Sequence, residues 1–309
     1  MTETVLVYGA LRSGTTLLRL MLNAHPRLVC RGESDWLFDH LRPDGAGGLH
    51  LDRTALQGDR IFRAAGVAIP AVADGRAAVH AMTAALQGTA DGPLVLMTHR
   101  NPGRVLDLFP RARVLHLLRD PRDVARSCIG MGWAGTVYHG LDPWLGTERA
   151  WDGVAGRLDP GQALDVRYEE LIRDAPGTLG RICAFFGETY DPAMLSYSGT
   201  TTYAAPDPAL TEQWRRKLSP RDIGLVEARA GSLLAARGYA PSGHPPVQPG
   251  ALQRAGLWLE NKRGVWRTRV ARYGLVDPLL LAVARRPGLG WLGRGAKRRV
   301  DARTVAYLK

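Results

Sequence analysis

Four short apolar runs in the first two thirds of the chain have the length and composition of buried β-strands. They cover residues 5–8, 94–98, 114–118 and 164–167, and each leads into a polar or Gly/Pro-containing turn. Between and after them, apolar residues recur at helical spacing, for example at Leu17, Leu18, Met21 and Leu22. Strands that alternate with helices predict a P-loop-like, three-layer α/β/α fold with a central parallel sheet.

The turn after the first predicted strand has the spacing of a phosphate-binding loop, Gly-Ala-Leu-Arg-Ser-Gly-Thr-Thr at residues 9–16. In such loops backbone N–H groups and a helix N-terminus surround an anion. A nucleoside-triphosphate loop carries Lys where Thr15 stands, so the sequence argues against ATP or GTP hydrolysis. Arg12 supplies a forked cation, and Ser13, Thr15 and Thr16 supply hydroxyl donors. The alternative is a glycine turn followed by ordinary Ser/Thr helix caps.

A second strand-to-helix junction offers groups for another phosphate. Arg119 follows the predicted strand at 114–118, Asp120 and Pro121 are residue types that begin helices, and Ser127 lies nearly two turns further on. The alternative is an ordinary junction whose charged side chains are solvated.

These residues resemble the sulfotransferases that use 3′-phosphoadenosine-5′-phosphosulfate (PAPS). Residues 11–26, Leu-Arg-Ser-Gly-Thr-Thr-Leu-Leu-Arg-Leu-Met-Leu-Asn-Ala-His-Pro, and then 31–34, Arg-Gly-Glu-Ser, are similar to the tyrosylprotein sulfotransferase branch and its bacterial relatives. The resemblance covers most of residues 5–240. It implies transfer of the sulfuryl group of PAPS to a hydroxyl acceptor, which is a phenol or tyrosine, a sugar, a lipid or a natural product.

The same resemblance implies which residues bind the donor. The 5′-phosphosulfate corresponds to Arg12, Ser13, Gly14, Thr15 and Thr16, and the 3′-phosphate to Arg119 and Ser127. Tyr168 is a candidate for lining the adenine pocket, with a core tyrosine as the alternative. Two phosphate sites on one nucleotide distinguish this donor from ATP.

Sulfuryl transfer also needs a base for the acceptor's proton, and two residues compete for this role. Glu33 stands where the tyrosylprotein branch carries its catalytic glutamate, although a surface carboxylate paired with Arg31 is the alternative. His99 follows Thr98, as the catalytic histidine does in cytosolic sulfotransferases. Both branches have a Lys near this point, and here Arg100 is the candidate to replace it in stabilising the bridging oxygen, although a guanidinium is not equivalent to an ammonium.

The formal charge of +12 is concentrated in the last part of the chain. Residues 250–309 contain 14 Lys and Arg against 3 acidic residues, a net charge of +11, which leaves +1 for residues 1–249. Prolines at 241, 245, 246 and 249 predict a linker. The expected organisation is a catalytic domain at 1–239, a linker at 240–250 and a basic, partly helical tail at 251–309. The tail is expected to contact something acidic, which is a membrane surface, a carrier protein or an anionic acceptor. The alternative is a solvated helix packed on the catalytic domain.

Three further expectations complete the sequence-based interpretation. No secretory signal or long apolar span is visible, and Cys30, Cys128 and Cys183 predict reduced thiols, so the expected location is cytoplasmic, with peripheral membrane attachment through the tail. No metal is expected, because no His, Cys and carboxylate cluster is apparent. The competing functions are a P-loop kinase-like phosphotransferase and a non-catalytic nucleotide- or nucleic-acid-binding protein, although no nucleic-acid-binding motif is present. Acceptor specificity is expected in two predicted loops, residues 42–48 and 130–146.

Overall fold

The computed structural model describes residues 4–199, 206–284, 286 and 289–308. The β-strands are β1 (Thr4–Gly9), β2 (Leu41–Pro43), β3 (Leu49–Leu51), β4 (Leu94–Thr98), β5 (Arg113–Leu118) and β6 (Ala163–Arg167). The α-helices up to the third quarter of the chain are α1 (Thr15–Asn23), α2 (Trp36–Asp39), α3 (Arg53–Gln57), α4 (Arg60–Ala65), α5 (Gly75–Gln87), α6 (Pro102–Leu108), α7 (Pro121–Gly130), α8 (Val137–Gly140), α9 (Asp142–Ala155), α10 (Tyr168–Arg173) and α11 (Ala175–Phe186). The remaining helices are α12 (Trp214–Lys217), α13 (Pro220–Ala230), α14 (Ser232–Ala236), α15 (Ala251–Tyr273), α16 (Val276–Val283) and α17 (Gly290–Leu308), and 3-10 turns cover Pro192–Gly199 and Pro208–Leu210.

The main sheet is parallel and has the strand order β4-β1-β5-β6. All four strands were predicted from the apolar runs, and the prediction is confirmed. Tyr8 of β1 is level with Thr98 of β4 and with His116 of β5. The four strands therefore end at one edge of the sheet, and the residues that follow them lie at that edge.

Helices cover both faces of this sheet, as the alternation of side chains along a strand requires. Val5 and Val7 belong to a core formed with α1, α10 and α11. Leu6 and Tyr8 belong to a second core formed with α2, α5, α6 and α9. The predicted three-layer α/β/α fold is confirmed.

The two predicted loops are partly ordered into regular structure. Arg42 pairs with His50 in a small antiparallel hairpin of β2 and β3, and its turn is closed by the Asp44 carboxylate, which accepts hydrogen bonds from the N–H groups of Ala46 and Gly48. Residues 130–146 contain α8 and the start of α9. Strands and helices of three or four residues leave too short an apolar pattern to be recognised in sequence.

The chain divides into two compact units, which are described separately below. The first comprises the described residues of Met1–Arg119 and Leu145–Thr211, and the second those of Asp120–Trp144 and Glu212–Lys309. The main sheet and both cores lie in the first unit. In the second unit residues 240–250 are neither helix nor strand, and α15, α16 and α17 follow them. The domain boundaries proposed from sequence stay a prediction. Within the described ranges, no helix is long and apolar enough to cross a membrane.

Candidate functional site

The predicted phosphate loop connects β1 to α1 in the first unit. Its backbone is in the left-handed region at Arg12 (φ 74°) and Gly14 (φ 94°), and the N–H of Ser13 donates to the carbonyl of Ala10 over 3.0 Å. Gly14 is the N-cap of α1, where a residue without a side chain leaves the first helical N–H groups available. The loop and the helix N-terminus thus have the form of an anion site.

Tyr168 lies directly against this loop. A Cβ atom at Gly14 would collide with the ring carbons of Tyr168, so glycine is required there both for its φ and for this close approach. The Tyr168 ring is buried, and the guanidinium carbon of Arg119 lies 4.1 Å from its centroid. Tyr168 was expected near the adenine, and the structure brings it next to the phosphate loop.

Arg119 is tied to the same loop. Its Nη1 donates to the carbonyl of Arg12 over 2.9 Å, and its Nη2 donates to the carbonyl of Leu210 over 3.2 Å. Two phosphate-binding candidates that are 107 positions apart in sequence therefore meet at the edge of the sheet.

The hydroxyl groups of the loop differ in burial. Ser13 is fully buried, and its Oγ has no hydrogen-bond partner among the described residues. Thr15 is also buried, and Thr16 is half-buried. An orphaned buried hydroxyl costs free energy unless a ligand satisfies it, so Ser13 fits a loop that is built to hold an anion.

Ser127, the other predicted 3′-phosphate contact, belongs to the second unit. It lies on α7, where Asp120 is the N-cap and accepts a hydrogen bond from the N–H of Arg122 over 2.9 Å, and where Pro121 is in the first turn. The predicted helix start is therefore confirmed. Because Arg119 lies in the first unit, the pairing of Arg119 with Ser127 stays a prediction.

The two competing bases lie beside each other in the first unit. Nε2 of His99 is 3.9 Å from Oε1 of Glu33, which is a close charge pair but too long for a hydrogen bond. They meet because residues 29–34 run alongside β4: the N–H of Ser34 donates to the carbonyl of Met97 over 2.7 Å. Sequence reasoning treated the two residues as rivals, and the structure makes them a pair.

Hydrogen bonding fixes the orientation of the His99 ring. Nδ1 lies 2.8 Å from the carbonyl oxygen of Gly9, and because a carbonyl can only accept, Nδ1 carries a proton. Nε2 therefore faces Glu33, and it has no hydrogen-bond partner among the described residues. The hydrogen bond to Gly9 also connects the His99–Glu33 pair to the first residue of the phosphate loop.

The pKa values of His99 and Glu33 are shifted in opposite directions. Burial lowers the pKa of His99, but Glu33, Asp35 and the Gly9 carbonyl outweigh burial, so the pKa is raised above its usual value. Nearby His99 lowers the pKa of Glu33, and burial opposes this effect. Of the two facing groups, Nε2 of His99 therefore holds a proton in preference to the Glu33 carboxylate, and Glu33 stays ionised.

Asp35 holds the segment that carries His99 and Arg100, and sequence reasoning missed it. Its buried Oδ1 accepts hydrogen bonds from the backbone N–H of His99 over 2.9 Å and of Arg100 over 3.2 Å. Burial raises the pKa of Asp35 against the lowering effect of His99. The Arg100 guanidinium is exposed and donates to Oδ2 of Asp39 over 2.7 Å. The signal for Asp35 was its position directly after the Arg-Gly-Glu-Ser segment.

A second histidine pair was not predicted and lies in the middle of the sheet. His116 places Nε2 3.2 Å from Oε2 of Glu148 on α9 and Nδ1 3.1 Å from Oδ1 of Asp165. The residue before Glu148, Thr147, accepts a hydrogen bond from the Tyr8 hydroxyl and donates one to the carbonyl of His99. One helix thus contacts both histidine sites.

Comparison with known proteins agrees with the geometry. A family model described as "Sulfotransferase family" matches residues 4–192. The omega-hydroxy-beta-dihydromenaquinone-9 sulfotransferases of Mycobacterium bovis and Mycobacterium tuberculosis are each 30% identical over 110 residues, covering 30% of this chain and 28% of the relative. The match therefore spans less than a third of these curated relatives.

Two solved structures are similar over most of the chain. The sulfotransferase domain from the curacin biosynthetic pathway has a TM-score of 0.57 at 16% identity and covers 78% of this chain and 99% of its own, which shows a shared fold. The sulfotransferase domain from the Synechococcus PCC 7002 olefin synthase has a TM-score of 0.53 at 25% identity and covers 75% of this chain and 96% of its own.

Proposed function

The chain belongs to the sulfotransferase family, and we propose that it transfers the sulfuryl group of PAPS to a hydroxyl acceptor. The observation that carries this proposal is the contact between the two candidate general bases, His99 and Glu33, and the phosphate loop. The His99 ring is bonded to the carbonyl of Gly9 over 2.8 Å and faces Glu33 across 3.9 Å. A proton acceptor and an anion cradle therefore share one edge of the sheet, as in-line transfer requires.

The residues of the loop fit the proposed donor. When bound, PAPS supplies the sulfuryl group and a phosphate as leaving group. The buried, unsatisfied Ser13 hydroxyl and the N–H groups at the start of α1 are donors for the 5′-phosphosulfate, together with Arg12, Thr15 and Thr16. Arg119, held at the loop by the Arg12 carbonyl, supplies a cation for the 3′-phosphate.

Glu33 is the proposed base. Its side chain is 38% exposed, whereas that of His99 is 2% exposed, so a hydroxyl arriving from solvent reaches the carboxylate first. Because Nε2 of His99 is protonated in preference to Glu33, the Glu33 carboxylate is the group with a free lone pair that can accept the acceptor's proton. The positive charge on His99 keeps the carboxylate ionised before the reaction. The acceptor oxygen then attacks the sulfur as its proton passes to Glu33, and the bond from sulfur to the bridging oxygen breaks, so that the bridging oxygen leaves on the 5′-phosphate of the nucleotide.

Arg100 is the proposed stabiliser of negative charge on the bridging oxygen. Its contacts with Asp39 and Asp35 hold the guanidinium just beyond the end of β4, next to His99. Positive charge placed where negative charge develops lowers the barrier to transfer.

For the acceptor we propose a lipid hydroxyl. The support is the name of the mycobacterial relatives, which gives an omega-hydroxy menaquinone derivative as their substrate. A hydroxylated isoprenoid lipid is therefore the first acceptor to assay with radiolabelled donor, ahead of phenols and sugars.

Nucleotide binding tests the donor site directly. By calorimetry we expect the 3′,5′-bisphosphate product of PAPS to bind and ADP with Mg²⁺ to bind much more weakly, because Lys is missing at Thr15. Gly14→Ala should weaken bisphosphate binding by about 100-fold or more, since the added methyl collides with Tyr168 and the backbone is left-handed.

Gly180→Ala is the matched control. A Cβ at Gly180, in α11, meets no atom within 4 Å, so this variant should bind the bisphosphate as the wild type does. Undiminished binding by Gly14→Ala, or equal affinity for ADP with Mg²⁺, would refute the proposed donor site.

A further inference from the structure

The first two thirds of helix α15 pack against the second unit along one face. The residues of this face are spaced at helical intervals: Leu257, Asn261, Gly264 and Thr268. Leu257 is buried, Asn261 Oδ1 accepts the N–H of Gly135 over 2.7 Å, and Gly264 approaches the backbone of Gly135 closely. These contacts fix which side of the helix faces its own unit.

The opposite side of α15 is apolar at its centre and basic at its margins. Leu252 is 90% exposed and Leu259 is 44% exposed, and a separation of seven residues places both on the same side. Lys262 and Arg263, three and four residues after Leu259, are exposed on its two flanks. Trp258 is also exposed, with the Lys262 ammonium 5.5 Å from its ring centroid.

The next helix in the chain, α16, also exposes apolar side chains. Leu275, Val276, Leu279 and Val283 are all exposed, and their spacing places them on one side of the helix. The acidic residue of this segment, Asp277, is buried and paired with Arg299 over 2.6 Å. Its carboxylate is therefore not available to repel an anionic partner.

We propose that the outward face of α15, formed by Leu252, Trp258, Leu259, Lys262 and Arg263, docks on the surface of an anionic lipid bilayer. Apolar side chains enter the headgroup region while flanking cations contact lipid phosphates, which is the arrangement of interfacial helices. Charge selects this partner. A second copy would bring a segment of net charge +11 against an identical one, and a nucleic acid would leave the leucines in water. The proposal is independent of the chemistry proposed for the first unit.

Vesicle co-sedimentation of the full chain tests this inference. We expect binding to vesicles of phosphatidylcholine with equimolar phosphatidylglycerol and none to phosphatidylcholine alone. Lys262→Glu/Arg263→Glu should weaken binding by about 30-fold or more, since each basic residue near an anionic surface contributes about fivefold. Leu252→Ser/Leu259→Ser should weaken it by about tenfold or more.

Two matched variants control for overall charge and exposed apolar surface. Arg111→Glu/Arg173→Glu makes the same charge change at exposed positions of the first unit, and Val72→Ser removes an exposed apolar side chain there. Both should bind vesicles within about threefold of the wild type. Circular dichroism establishes that each variant is folded.

The inference is overturned if the wild type binds neutral vesicles equally well or binds neither kind. It is also overturned if the first-unit charge control weakens binding as much as the α15 variant, or if the serine variant binds as the wild type does. Light scattering tests whether a second copy of the chain binds this face instead. If the wild type is a dimer and Leu252→Ser/Leu259→Ser is a monomer, the face belongs to a dimer interface and the lipid proposal is overturned.

Discussion

His99 and His116 stand almost level in the main sheet, yet their surroundings differ. His116 lies within β5, level with Thr98 of β4, and His99 is the next residue after Thr98. His116 is fully buried, and the Glu148 side chain that faces it is 1% exposed. His99 faces Glu33, whose side chain is 38% exposed. On the Nε2 side, a step of one residue past the strand end therefore separates a pair closed to solvent, His116 with Glu148, from an open pair, His99 with Glu33. We call His116 with Glu148 the sealed pair, although Asp165 on the Nδ1 side of His116 is 64% exposed.

This difference decides what each pair can do. The Glu148 carboxylate of the sealed pair is closed to a substrate, and its charge is stabilised by attraction to His116 against the cost of burial. A pair at the strand end keeps a carboxylate accessible while the protein fixes the histidine from behind, through the Gly9 carbonyl. The carboxyl edge of a parallel sheet is where such accessible groups gather.

The largest expected effect is on catalysis at the open pair. Glu33→Gln should lower kcat/KM for sulfuryl transfer by two to four orders of magnitude, about 3–5 kcal/mol, because the amide cannot accept the acceptor's proton. Affinity for the 3′,5′-bisphosphate should change by less than about threefold, since the phosphate loop is intact. Steady-state kinetics and calorimetry measure the two quantities.

Glu188→Gln is the matched control for this change. Glu188 pairs with Arg27 over 2.8 Å, and Arg27 is not among the candidate site residues, so the control should keep wild-type kcat/KM. If His99→Ala abolishes transfer and Glu33→Gln does not, the assignment of the base to Glu33 is wrong.

The next effect is on stability at the sealed pair. Glu148→Gln should lower the free energy of unfolding by about 2 kcal/mol, because the buried His116 loses its buried carboxylate and keeps only the more exposed Asp165. The folded fraction should keep kcat/KM within about threefold. Urea unfolding and kinetics on the same sample separate the two readouts. A large loss of kcat/KM in a folded Glu148→Gln protein would contradict the division of roles.

The sequence predicted the parts that depend on local pattern. The four strands of the main sheet and the phosphate loop were visible, because each is a continuous run with a fixed spacing. Glu33, His99 and Arg119 were named from the resemblance and from their places after strands. Where parallel strands end at one edge, residues distant in sequence are brought together there.

The partnerships between those residues were not visible in the sequence. Glu33 meets His99 because residues 29–34 bridge to β4, a contact of a few backbone hydrogen bonds with no apolar pattern of its own. Asp35 and Glu148 carry no motif, and each matters only through a backbone or ring that folding places beside it. Long-range pairing of polar groups is decided by packing, which one sequence does not disclose.

The smallest expected effect is in the pH dependence of stability, and it distinguishes the sealed pair from the open one. Burial lowers the pKa of His116, but Asp165 and Glu148 outweigh burial, so the pKa in the folded state lies above the unfolded value of about 6.5. Stability from such a group is complete below the unfolded pKa and is lost as pH rises through the folded pKa. The wild type should therefore lose free energy of unfolding above about pH 6.5, with a limit of about 1.4 kcal/mol per pH unit for this one proton.

Glu148→Gln should flatten that decline. Without the Glu148 carboxylate, only Asp165 remains to raise the folded pKa of His116, so that pKa is raised less. The variant therefore has less stability from His116 at low pH and loses less of it as the pH rises. His99, whose pKa is also raised, contributes to the slope of both proteins and cancels in the difference between them. Urea unfolding of wild type and variant across neutral and mildly alkaline pH measures that difference. Parallel curves would mean that Glu148 does not hold the charge on His116, and the contrast between the two pairs would then lie in accessibility alone.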